Sequence, residues 1–435
     1  MLGPLSRNIV ALVGGAINMV AATGATALTD RFAASLEHPA IEYGTRPRTD
    51  QVARLDERLG SGDATLAFDR PQGYLRALLE AFDVPVESQV LVFSKTSLQW
   101  NFISPANPRA IYFNDDVVIA WVRGAPAIEL AALDPQQGVM FYALGQVEWT
   151  RGFQRPRSCL QCHVSPETLG VPGLAVGSAV ADPDGVPYTS RTVDHRTMIE
   201  SRWGGWYVPG DTGIGRHVGN TVATDPSDPM LRHEEANRNI DSVEGRFDTS
   251  GYLTPFSDIV ALMVLEHQTH MTNLLTRVGW EFRLATHERH ASDGLFVRSV
   301  LPIDDTTLHE VVNALVDYML FVDEAPLTDR MIGSSGFSST FVARGPFDQR
   351  GRTLREVELD RRLFRFPCSY MIYTASFDAL PTDAKAAVYR RMWEVLSGSD
   401  ADPKYTRLSS DDRRNIIDIL RDTKADLPFY FANGG

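Results

Sequence analysis

The sequence predicts an α+β fold, with a mostly antiparallel sheet early in the chain and helices late. Three observations predict it. Between residues 88 and 148, short apolar runs alternate with turn formers. From 150 to 235 long periodic stretches give way to Gly, Pro, Asp and Thr. Beyond 255, apolar residues recur at helical spacing.

The first residues read as an export signal. Met1–Arg7 carries one positive side chain and the terminal amine, Ile9–Ile17 is an apolar core of signal length, and Ala25-Thr26-Ala27 offers small residues for cleavage. We place cleavage after Ala27, so residues 1–27 form a signal peptide and the mature chain is periplasmic or otherwise exported. The rival is an uncleaved membrane anchor. Asn18 and the Gly14-Gly15 pair interrupt the apolar run and disfavour a stable span. Membrane contact is expected only if the segment stays uncleaved.

Three regions follow. Residues 28–149 form an α+β region. Its lead-in is followed by amphipathic helices at Thr49–Leu59 and Gln72–Phe82, the second marked by Tyr74, Leu75, Leu78, Leu79 and Phe82. Val90–Phe93 is apolar, and Ala110–Phe113 and Val117–Val122 flank Asn114-Asp115-Asp116 as a hairpin. Ile128–Leu133 and Val139–Leu144 extend the small sheet. Residues 150–235 form the second region, whose aromatic residues Trp203, Trp206 and Tyr207 suit structure wrapped around something. Residues 236–435 are mainly helical. Helices are expected over 255–284, Thr306–Val322, Thr382–Leu396 and Ser409–Thr423, with an extended stretch over 295–303.

Hydrophobic residues make up 43% of the chain and charged residues 22%, which excludes disorder for most of it. The net charge of −13, with no basic run, repels phosphates and excludes a nucleic-acid partner. The three cysteines, Cys159, Cys162 and Cys368, cannot all pair within one chain.

Cys159-Leu160-Gln161-Cys162-His163 is a C-x-x-C-H motif. Two thiols must reach neighbouring vinyl groups of one porphyrin, and a two-residue gap sets the sulfurs at that separation. The next histidine then lies under the ring, where its imidazole binds iron. This attachment is made outside the cytoplasm, and the export signal meets that requirement. A redox disulfide would call for a βαβ setting, and a zinc site for a second cysteine pair; neither is present in the sequence.

On these residues the segment resembles the c-type cytochromes, over about residues 155–220. Gly170-Val171-Pro172-Gly173-Leu174 is similar to the Gly-Pro-x-Leu stretch that follows the proximal histidine in many of them. Val171 departs from the simplest pattern. The resemblance implies one covalent haem c on Cys159, Cys162 and His163, with the backbone of Pro172 fixing the imidazole. The whole chain resembles a group of large uncharacterised exported bacterial proteins with a single haem motif.

The sixth iron ligand decides the chemistry. A methionine suits electron transfer, and an open position permits reaction with a small molecule. His217 is the preferred candidate. It lies in Arg202–Asn220, where glycines allow close backbone approach and aromatic rings can line a haem edge. Met198 is the alternative, and His195 and His233 are within reach along the chain. Glu266, His267 and His270 form a second cluster on one helix, with His267 and His270 three apart on one face. They can be read as a metal pair or as a distal ligand. The plainer reading, which we favour, has one histidine in a buried hydrogen bond and the other solvated. Cys368 is expected to be a buried thiol.

The function expected is electron transfer between periplasmic partner proteins. The alternative is a peroxidase- or oxygenase-like haem enzyme, with a small-molecule substrate at an open distal site. A small haem fold leaves over 300 residues unexplained, which keeps the enzyme in view.

Overall fold

The computed structural model describes residues 35–224, 237–293 and 305–433. The expected signal peptide, His233 and the stretch over 295–303 lie outside them. The architecture is α+β.

Helix α1 (Gln51–Ser61) starts at Asp50, whose carboxylate accepts the Ala53 N–H. It buries Val52 and Leu55, and α2 (Leu75–Ala81) buries Leu75, Leu78 and Leu79. Five antiparallel strands follow: β1 (Val90–Val92), β2 (Arg109–Phe113), β3 (Val117–Trp121), β4 (Ala127–Asp134) and β5 (Gly138–Gly145). A bend at Asn114 joins β2 to β3; its side-chain oxygen accepts the N–H groups of Asp116 and Val117.

Side chains alternate across this sheet. Leu91, Tyr112, Ile119, Leu130 and Tyr142 face α1 and α2. Val90, Val92, Ile111, Phe113 and Ala120 face the C-terminal helices. At the β4–β5 end of this second face, Ala131, Val139 and Phe141 pack on Cys159 and Leu160. The sheet thus supplies the floor on which the cysteine motif rests.

The middle region holds more regular structure than its composition predicts. The motif lies on a short helix α3 (Leu160–His163). Strands β6 (Val176–Ala181) and β7 (Pro187–Val193) form a hairpin, and β8 (Trp206–Tyr207) joins the main sheet beside β1. Residues Tyr188–Thr192 of β7 are exposed and almost all polar, so no apolar alternation announces the strand.

Helix α4 (Ile259–Asp293) runs 35 residues, beyond the 255–284 expected, and is buried on every side over most of its length. Its buried residues include Glu266, His267, Gln268, Thr272, Asn273, Arg277 and Glu281. Such groups are costly in a core unless paired, and their partners connect α4 to its surroundings. Around α4 pack α5 (Asp305–Met319), α6 (Phe337–Ala343), α7 (Ala375–Asp378) and α8 (Thr382–Leu396), and α9 (Ser410–Thr423) packs on α8. A reciprocal Ser409–Asp412 capping box starts α9. No helix among the described residues is long and apolar enough to cross a membrane.

Candidate functional site

The two motif cysteines sit three residues apart at the start of α3, with both thiols free. Cys159 is partly buried and Cys162 is exposed. Burial, first, and the nearby Glu129 carboxylate raise the Cys159 thiol above its ordinary value. The ring of His163 packs on Phe141 of β5 with centroids 4.5 Å apart. Burial holds its imidazole below the ordinary histidine value, so the ring is neutral at pH 7.

His163 Nδ1 lies 2.9 Å from the Gly173 carbonyl oxygen. A carbonyl only accepts, so Nδ1 carries the proton and Nε2 keeps the lone pair. Gly173 N–H donates back to the His163 carbonyl at 3.0 Å. The resemblance implied Pro172 as the residue that fixes the imidazole. The structure gives this contact to Gly173, one residue on. The Pro172 carbonyl instead accepts the Val139 N–H of β5 at 3.1 Å and ties the loop to the sheet.

The loop from His163 to Leu174 is also fixed from α4. Arg277 donates to the Leu169 carbonyl at 2.6 Å and pairs with Glu281 at 2.8 Å. Asn273 accepts the Leu174 N–H at 3.1 Å and donates to the Leu174 carbonyl at 2.7 Å. Leu169 itself has φ 59, a strained value for leucine that these contacts hold in place. Beside the motif, Arg109 pairs with Glu129 on the sheet, and the Ser97 hydroxyl donates to Glu129 at 3.1 Å. The segment after Ser97 exposes Leu98, Trp100 and Phe102 by 56%, 52% and 41%.

The other candidates lie on other segments. His217 is buried against Trp203, ring centroids 5.1 Å apart, and its Nδ1 accepts the Gly219 N–H at 3.1 Å. A neutral ring so engaged carries its proton on Nε2. Met198 is not a core residue: it is 43% exposed at the end of the loop after β7.

The second cluster is built differently from the reading we favoured. His195 and His267 are both buried, with their Nδ1 atoms 2.9 Å apart, and His267 Nε2 lies 2.7 Å from the Ser369 hydroxyl. Tyr318 stacks on His195 with centroids 4.1 Å apart. His270 is not simply solvated; its Nε2 accepts from Arg196, which pairs with Asp194. Glu266 pairs with Arg202 at 3.1 Å, both fully buried, and Arg202 also donates to the carbonyls of His195 and Thr197. Burial, partly offset by Asp194, pushes His267 down to about 3 and His270 down to about 4. His195 is held well below its ordinary value by burial and by His267. Sequence spacing paired His267 with His270 but gave no sign that His195, from the loop after β7, joins them. Among the described residues no group of three or more histidines, cysteines or carboxylates is arranged to hold a metal ion. Cys368 is fully buried, and burial raises its thiol to about 12.

Compared with family models, curated proteins and solved structures, the chain matches none.

Proposed function

We propose that this chain is an exported c-type cytochrome that carries one covalent haem and transfers electrons between periplasmic partner proteins. The observation that carries the reading is the tautomer of His163. Its Nδ1–H is committed to Gly173, so a neutral Nε2 lone pair is available beside two free thiols on one helical turn. Cys159 and Cys162 would bond the haem, and His163 would ligate its iron. When bound, the haem supplies a one-electron couple tuned by its ligands and by the hydrogen bonds behind them. The exposed side chains of Leu98, Trp100 and Phe102 are apolar surface that a porphyrin or a docking partner would cover.

The test is Cys159→Ala combined with Cys162→Ala, produced in a host that matures c-type cytochromes. The wild-type band should stain for haem on a denaturing gel, and the double variant should not. Carbon monoxide separates electron transfer from the enzyme alternative. Indifference of the reduced protein supports a six-coordinate carrier, whereas rapid binding points to an open iron and a small-molecule substrate.

A further inference from the structure

The haem motif occupies one turn of helix, yet its axial histidine is positioned from the centre of the molecule. Gly173 touches His163 twice, through its carbonyl at 2.9 Å and its N–H at 3.0 Å. The next residue, Leu174, makes no free choice of position: both its backbone groups are taken by the Asn273 side chain. Asn273 is 1% exposed and projects from a helix that is itself enclosed. Arg277, four residues on and so on the same face, holds Leu169 at the other side of the loop. A Cβ on Gly173 would fall 2.1 Å from Asn273 Oδ1, so the fit leaves no slack.

We infer that Asn273 is a positioning residue for the haem iron, setting its redox balance through Leu174, Gly173 and His163. The inference rests on the cytochrome reading above. The physical route is short. The Gly173 carbonyl draws on the Nδ1 proton and makes the imidazole more basic, and a more basic ligand favours ferric iron. Asparagine is suited to the place because one side-chain amide both donates and accepts, as a backbone pair requires. This also gives part of the long chain a purpose: the C-terminal helices enclose the rod that carries the clamp.

The experiment uses haem-loaded full-length protein. In Asn273→Leu both bonds to Leu174 are lost. Asn273→Ala also loses both bonds but inserts no bulk or charge, and so serves if the leucine variant folds poorly. Val278→Ala trims a buried side chain of the same helix and leaves the Asn273 side chain unchanged. The ratio of reduced to oxidised haem is read spectroscopically at one fixed ambient potential. Asn273→Leu should shift it about tenfold toward reduced, Asn273→Ala in the same direction, and Val278→Ala hardly at all. Haem-loaded Asn273 variants with an unchanged ratio would overturn the inference, as would an equal shift in Val278→Ala. Wild-type protein without covalent haem would instead overturn the cytochrome reading, so the two failures are distinct.

Discussion

His163 and Gly173 hold each other by two hydrogen bonds, the imidazole donating to the glycine carbonyl and the glycine N–H donating to the histidine carbonyl. The pair closes a ten-residue excursion of chain onto itself and fixes one imidazole tautomer.

Gly173→Ala should destabilise the protein by about 2 kcal/mol. Its new methyl would meet Asn273 Oδ1 at 2.1 Å and Thr168 Cβ at 3.2 Å, so either the clamp or the loop must shift. Chemical denaturation measures the loss. Combined with Asn273→Leu the two costs should fall short of additive, because both variants break one contact.

Arg202→Met should be far more damaging, about 3–5 kcal/mol, because it strands the Glu266 carboxylate in the core. It also removes the donors to the carbonyls of His195 and Thr197. Glu266→Gln should cost less, since Arg202 keeps the carbonyls of His195 and Thr197 as acceptors and the amide oxygen can still accept from it. Thermal unfolding of both variants checks the order.

Acid should loosen the buried histidines. In the unfolded chain each takes its proton near 6.5, but His267 does so at about 3 and His270 at about 4 when folded. Between these limits the unfolded state binds more protons, so stability falls as pH falls below 6.5. Glu266, raised from 4.5 to about 7 chiefly by burial, works the other way between those values and offsets part of the slope. His267→Gln should remove about one proton from the dependence, roughly 1.4 kcal/mol per pH unit. Denaturation midpoints at pH 5 and pH 6.5 provide the comparison.

His217→Ala should cost about 3 kcal/mol through the lost packing on Trp203. With Nδ1 bound to Gly219 N–H, the ring has its proton on Nε2, and the haem spectrum should not change. Newly acquired carbon monoxide binding would show that this imidazole reaches the iron.

Much of the frame was legible in the sequence. Val117–Val122 and Thr382–Leu396 carry their periodicity openly, and the structure has β3 over Val117–Trp121 and α8 over Thr382–Leu396. The motif at Cys159, Cys162 and His163 is a matter of spacing alone. What stayed hidden depends on contacts between distant segments. Strand β7 has a mainly polar, exposed surface, and β8 has two residues that pair only because β1 offers an edge. His195 meets His267 across 72 residues, and Asn273 meets Leu174 across 99. Buried asparagine and histidine on a helix look like surface residues until the fold encloses them. The Gly173 contact was missed by one residue, because the family pattern names proline and a backbone acceptor leaves no side-chain signature.

The central claim is a covalent bond between this chain and one porphyrin. Intact-mass spectrometry of denatured wild-type protein, purified from a maturation-competent host, tests it most directly. The account predicts the mass of the mature chain plus one haem, retained after acid denaturation and lost when both motif cysteines are alanine. A colourless protein at the mass of the bare polypeptide would contradict it.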